Sequence, residues 1–195
     1  MDDDELVGCE VTDDFVGGRA RRVEISESRL VKARVTGSDL THLRLRDVVV
    51  DGCDLSGAVV EDAHLTRCVF IDCRLSGTVL TSARLEHVEF RACRMDLVNL
   101  RMVQGRMVRF TGCDLAGSDW YSAQLHDAQL LDCDLSGADV SAASLAGTEF
   151  HGSILDGVIG AAALRDVVID PTQASAVGLA LLAAHGISIT DRPAD

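Results

Sequence analysis

Seven cysteines and six histidines are the residues best suited to nucleophilic, redox or metal chemistry in this 195-residue chain, so their spacing is the first question. The thiols stand at Cys9, Cys53, Cys68, Cys73, Cys93, Cys113 and Cys133. Zinc sites usually gather cysteines into C-x2-C knuckles, and none occurs here. The odd count argues against a closed disulfide framework, and a reducing compartment is expected. His42, His64, His87, His126 and His151 share no repeat interval, and no nucleophile, phosphate-loop or metal motif accompanies them. The expectation is a binding protein with no catalytic residue, no metal and no cofactor, its histidines solvated at the surface.

Five of the thiols, at 53, 73, 93, 113 and 133, recur every 20 residues, and Phe70, Phe90, Phe110 and Phe150 recur at multiples of 20. The elements that position these side chains must carry that interval. Stepping by five from Leu30 to Leu155 meets 26 positions, all apolar except Gly105. The residue two before each is usually small or Val, as at Ala58, Ala63, Ala83, Val88, Val108, Ala123, Ala138 and Ala143. Neither a helix of 3.6 residues per turn nor a strand of period 2 keeps a five-residue unit in phase for so long, whereas a stacked repeat does. Four sides of five residues make a coil of 20, so like residues stack as ladders inside a column. Thiols in such a ladder read as small apolar fillers. Ser-Gly or Ala-Gly after the central Leu, as at Leu55-Ser56-Gly57 and Leu115-Ala116-Gly117, marks the corners. The phase slips by one after Leu155, to Ile159, Leu164 and Ile169, with Ala162 and Val167 as inner partners. Upstream, Phe15, Ala20 and Ile25 hold the phase, while Asp13 and Gly18 predict an irregular first coil. Gly105, with Leu97, Met102 and Met107 around it, reads either as a kink that the methionines refill or as an exposed apolar patch, and the kink is preferred.

Units such as Cys53-Asp54-Leu55-Ser56-Gly57 and Cys133-Asp134-Leu135-Ser136-Gly137 resemble the A(D/N)LXX motif of the pentapeptide-repeat family. The resemblance implies an all-β solenoid, a right-handed quadrilateral β-helix, here followed by a short C-terminal α-helix. The expected organisation is an acidic N-terminal segment at 1–10, the repeat at 11–170, and a helix and strand at 171–195. Asp170 before Pro171 makes an N-cap and N1 pair and Gly186 a C′ residue, which predicts a helix over 171–185. Val177, Leu179, Leu181 and Leu182 leave more apolar surface than one buried stripe needs. One face can close the solenoid, and the other either folds down as well or meets a partner. Val168-Ile169-Asp170-Pro171-Thr172-Gln173, followed by the helix and Ala184-His185-Gly186-Ile187, is similar to the fluoroquinolone-resistance branch of the family, the MfpA and Qnr proteins. That likeness implies a homodimer made by the C-terminal segment.

The formal net charge is −13, which disfavours direct nucleic-acid or anionic-membrane binding. Met1-Asp2-Asp3-Asp4-Glu5 lacks the features of a secretory signal, and no stretch approaches 18 apolar residues, so a cytoplasmic location is expected. Between Phe110 and Ile169 stand Asp114, Asp119, Asp127, Asp132, Asp134, Asp139, Glu149, Asp156 and Asp166, with Arg165 as the sole base. Three coils would span roughly 14 Å, about one net charge per 1.8 Å, against about one per 1.7 Å in duplex DNA. A solvated acidic surface explains this as simply as mimicry does. Arginines of the first half, such as Arg74 and Arg94, share a column with Asp54, Asp114 and Asp134, which suggests surface ion pairs. What the family resemblance implies is a DNA mimic that binds DNA gyrase, with Asp114, Asp119, Asp127, Asp132, Asp134, Asp139, Glu149 and Asp156 as the contact surface. The unbroken register, without inserted loops, favours the MfpA over the Qnr pattern. A general interaction scaffold and self-immunity against a gyrase-directed toxin are the alternatives.

Overall fold

The computed structural model describes residues 5–190, and in it the chain forms a right-handed four-sided β-solenoid closed by one helix, Ala174–Ala184. Parallel pairing joins residues 20 apart. On one side Arg44–Arg46, His64–Thr66, Arg84–Glu86, Gln104–Arg106 and Gln124–His126 stack in register. On the next, Val49–Asp51, Val69–Ile71, Glu89–Arg91, Arg109–Thr111 and Gln129–Leu131 do the same. The remaining two sides are held by single bridges in two columns, Arg34, Asp54, Arg74, Arg94, Asp114, Asp134, Ile154 and Arg19, Asp39, Val59, Val79, Asn99, Asp119, Asp139, Ile159. Residues 53–57, 58–62, 63–67 and 68–72 and their equivalents 20 away are termed here the first, second, third and fourth faces.

Each five-residue side solves the same local problem. Its first and third residues point inward, and its fifth adopts a left-handed turn, with φ of 64° at Gly57, 53° at Asp62 and 51° at Arg67. Glycine tolerates that conformation at no steric cost; other residues hold it at some expense of strain. Backbone N–H groups pair with the coils on both sides, as Leu55 N does with Arg74 O (2.7 Å) and Asp54 N with Ala33 O (3.0 Å). The core is one continuous column: Cys53, Cys73, Cys93, Cys113 and Cys133 are all at most 2% exposed. Phe70, Phe90 and Phe110 stack at 4.8 and 4.9 Å, and Trp120 meets Phe110 edge-on at 5.5 Å. Phe150 stands outside the stack, since Leu130 takes the rung between.

Several inner cysteine, serine and threonine side chains also donate to a backbone carbonyl 23 residues earlier, although the buried Thr148 hydroxyl finds no partner among the described residues. Cys73 Sγ reaches Val50 O at 3.3 Å, Cys113 Sγ Phe90 O at 3.4 Å, Thr78 Oγ1 Leu55 O at 2.8 Å and Ser153 Oγ Leu130 O at 2.9 Å. A small side chain with a hydrogen to donate thus satisfies a buried acceptor while filling the column. Burial pushes the Cys68 thiol up to about 11, as expected of an inert packing thiol.

Four expectations need correction. Gly105 makes no kink: it pairs in register with Leu85 and Leu125. Leu125 fills its place from the next coil, for a Cβ on Gly105 would lie 2.5 Å from Leu125 Cδ2 and 2.9 Å from Val108 Cγ2. Met102 and Met107 refill nothing. Both are exposed at left-handed corners, as is Leu97. The phase slip comes one side later than Ile159, which points outward while Val158 is buried. A 3-10 turn at Ala161–Ala163 produces it, after which Leu164 is buried and Val167 and Ile169 pack against the core. At the other end, Glu5–Val7 pairs with Glu24–Ser26 at an offset of 19, so coil pairing begins within the acidic segment and the first coil is one residue short. Residues 187–190 form no strand, and 191–195 lie outside the described residues.

Candidate protein-interaction surface

The aspartate before a central residue has a local task before it has any partner. Its carboxylate accepts the backbone N–H two residues on, bracing the corner: Asp114 Oδ1 from Ala116 N (3.2 Å), Asp119 from Tyr121 N (2.9 Å), Asp134 from Ser136 N (2.9 Å) and Asp139 from Ser141 N (2.8 Å). Asparagine has the same acceptor, so structure alone explains Asp or Asn here. The negative charge is the surplus over that need.

Asp114 and Asp134 bridge as successive rungs of the first face, and Asp119 and Asp139 of the second. Asp156 follows on the first face, and Asp132 sits at the corner that leads into it. Asp127 and Glu149 lie elsewhere. Asp127 occupies the corner between the third and fourth faces, and Glu149 the fourth face, where Gln129 Nε2 donates to it at 2.8 Å. Five of the eight candidate acids therefore share two adjacent faces, Asp132 sits at their edge, and two lie elsewhere. On those two faces no Lys or Arg follows Arg101 until Arg165.

The cations at the near edge divide the acids further. Arg101 Nη1 lies 2.9 Å from Asp119 Oδ2 and the guanidinium stacks 4.3 Å from the centre of the Tyr121 ring, while Arg94 Nε is 4.0 Å from Asp114 Oδ2. Asp134 and Asp139 have no Lys or Arg nitrogen within 4.0 Å among the described residues. A basic partner would feel these two carboxylates most, because their charge is not already answered.

At the C-terminal end the helix starts as the capping residues predict. Asp170 N donates to Gln173 Oε1 at 2.6 Å, and Asp170 accepts from Gly152 N (2.6 Å) and from His151 (3.0 Å). Those bonds, the Gly152 amide first, hold the Asp170 carboxyl below its ordinary value. Gln173 is buried, and its amide donates to Phe150 O and Ser153 O (2.5 Å). Its offset from Phe150 is again 23 residues, so it caps the carbonyl that the next coil would otherwise have reached. Of the apolar residues proposed for association, Val177 is buried in the chain's own core and Leu181 packs against it. Their side chains close the solenoid, which removes Val177 from any partner contact. Leu182 is half-buried, and Leu179 is 54% exposed. Leu179 borders a groove of about 430 Å³ with Ile159, Gly160, Ala176, Ala180 and Ala183. Ile159, Ile187 and Ile189 are exposed too, and sequence reasoning missed them. Keeping the five-residue phase one step beyond Leu155 would have found Ile159.

No group of three or more His, Cys, Asp or Glu is arranged to hold a metal among the described residues. Among the same residues no helix is long and apolar enough to cross a membrane.

Comparison with known proteins is consistent with this architecture. The pentapeptide repeat region profile matches residues 44–106, and the profile of eight pentapeptide repeats matches 108–141 and 123–159. No curated protein matches the chain. Among solved structures, full-length QnrB1, a plasmid-mediated fluoroquinolone resistance protein, is similar at 22% identity over 89% of this chain and 99% of its own, with a TM-score of 0.39. HetL, a pentapeptide repeat protein involved in heterocyst differentiation regulation from the cyanobacterium Nostoc sp. strain PCC 7120, is similar at 18% identity over 86% of each chain, with a TM-score of 0.30.

Proposed function

We propose, from the premise that this chain belongs to the pentapeptide-repeat family, that it is a non-enzymatic interaction protein whose acidic last coils imitate DNA toward a basic nucleic-acid-binding surface, that of DNA gyrase. The observation that carries the reading is the base-free acidic array of the first and second faces, with Asp134 and Asp139 unanswered by any Lys or Arg among the described residues. Carboxylates fixed at successive rungs about 4.8 Å apart offer a protein that binds phosphates a rigid row of negative charge. The likeness of the 168–187 tail to the MfpA and Qnr branch supports gyrase as that protein. Binding there competes with DNA, and so alters supercoiling and the response to fluoroquinolones.

A homodimer belongs to the same proposal. Leu179 and Ile159 expose an apolar groove at the end where the acidic coils lie, and a second copy seated there brings two acidic segments together.

The experiment is a gyrase supercoiling and binding assay with wild type and with Asp114→Asn, Asp119→Asn, Asp134→Asn and Asp139→Asn combined. Since Asn keeps the corner acceptor, melting should change little, while gyrase affinity should fall at least tenfold, about 1.4 kcal/mol. Full activity in the folded variant would remove these faces from the mechanism. Absence of gyrase binding by the wild type would leave a scaffold for another partner.

A further inference from the structure

The third face has a character opposite to the acidic ones. Its outward columns read Arg44, His64, Arg84, Gln104, Gln124 and Arg46, Thr66, Glu86, Arg106, His126, on a continuous parallel sheet. With the corner residues from Asp47 to Asp127 included, five arginines stand against three acids. Arg67 is spoken for, as it grips Asp47 at 2.6 Å. Arg44, Arg46, Arg84 and Arg106 have no carboxylate oxygen within 4.0 Å among the described residues and are all exposed. Elsewhere Arg19, Arg29, Arg34, Arg91, Arg94 and Arg101 each hold a carboxylate, while Arg109 holds the Gln129 amide and Arg165 the Ala162 carbonyl. Arg84 instead leans on His64, 3.4 Å away.

Two apolar residues rim the same face. Met102 and Met107 occupy the corners on either side of the Gln104–Arg106 rung and are 48% and 44% exposed, at φ of 57° and 53°. One coil away those corners hold Ser82 and Ser122, and His87 and Asp127. A left-handed corner has no need of methionine, and water gains nothing from it. Thioether side chains at the edge of a surface are adaptable contacts for apolar residues of a partner.

We propose that the third face, from Arg44 to His126, is a second docking surface, one that takes an acidic segment of another protein carrying apolar residues. Unpaired guanidiniums on a flat sheet fit carboxylates, and the two methionines fit the apolar residues between them. A polynucleotide is the poorer occupant. The face exposes no Phe, Tyr or Trp ring on which a base could stack, Tyr121 being on the second face.

Fluorescence anisotropy with a short labelled peptide of Asp and Glu bearing two Leu tests this without gyrase in the assay. The peptide should bind in a salt-sensitive manner. Combining Arg44→Gln, Arg46→Gln, Arg84→Gln and Arg106→Gln should weaken it roughly tenfold at unchanged melting temperature. Neutralising the paired Arg29, Arg34 and Arg91 should have a much smaller effect. Met102→Ser with Met107→Asp should weaken the Leu-bearing peptide more than a peptide with Ser in place of Leu. If the fourfold variant is unstable, Arg84→Gln with Arg106→Gln carries the same test. The proposal falls if the peptide does not bind, if the fourfold variant binds it equally well, or if a single-stranded oligonucleotide binds more tightly. It falls also if the fourfold variant changes the mass measured by light scattering, because the occupant is then a second copy of this chain.

Discussion

Asp39 shows how one residue can serve the fold and leave a measurable signature. Its carboxylate accepts from Thr41 Oγ1 at 2.6 Å and lies 3.0 Å from both Arg19 and Arg21. The Thr41 hydroxyl first, then Arg21, hold its pKa down at about 2, against an ordinary 3.8. A carboxyl depressed on folding stabilises the native state above its unfolded pKa and loses that contribution as pH falls through the folded value. Melting temperatures of wild type and Asp39→Asn should therefore differ at neutral pH and converge as pH falls from about 4 toward 2. An unchanged gap across that window would mean that the carboxylate is not stabilised as the geometry implies. Gly105 is the residue at which the sequence pattern misleads. The five-step rule prescribes an apolar side chain there, yet Leu125 already occupies the space. Gly105→Ala should cost about 1–3 kcal/mol by overpacking, and adding Leu125→Val should recover part of it, as read by denaturant unfolding. The pattern failed because it records which column a residue belongs to and not how much volume the next coil sends into it.

Coils and corners were legible because each coil repeats the same constraints, so a misfit at one rung leaves the phase unchanged. The tail is read less easily, since it appears once. Asp170, Pro171 and Gly186 announce the helix, whereas nothing in its composition separates Val177, which faces inward, from Leu179, which does not. The slip at Ala161–Ala163 was equally hidden: Gly160, in its left-handed conformation, feeds a 3-10 turn of three alanines that fit either an inward or an outward position. Gln173 is the part of the tail with a task that can be tested. Its amide takes the carbonyl of Phe150, 23 residues earlier, as Cys113 and Ser153 do in earlier coils, and a second carbonyl at Ser153. Gln173→Ala should leave the buried Ser153 carbonyl without a donor, while Phe150 O keeps the Ser153 amide at 3.1 Å, and cost about 1–3 kcal/mol, more than Thr172→Ala beside it. Equal effects of the two substitutions would show that the cap is dispensable.

At the scale of the whole molecule, the charge of −13 is unevenly carried. Acids without bases gather on two faces near the helix, while four arginines without acids, Arg44, Arg46, Arg84 and Arg106, lie on the third face before it. A rod with this distribution presents opposite signs to partners approaching from different sides, and the rigid backbone ladder keeps the arrays in place. The single chain offers few rungs of base-free acid, about 20 Å or less at about 4.8 Å per rung, a short match for a duplex-binding groove. If Leu179 and the groove beside Ile159 join two copies, the acidic run doubles without any new acidic residue, and the second half binds with the advantage of an already tethered ligand. Leu179→Glu places a charge in that groove without touching Val177 or Leu181, which hold the helix to its own coils. The variant should keep its melting behaviour, run as a monomer by light scattering, and lose gyrase affinity by about tenfold or more although Asp134 and Asp139 are intact. A folded monomer that binds gyrase as tightly as wild type would show that one acidic segment suffices, and a variant that remains dimeric would place the interface away from this groove.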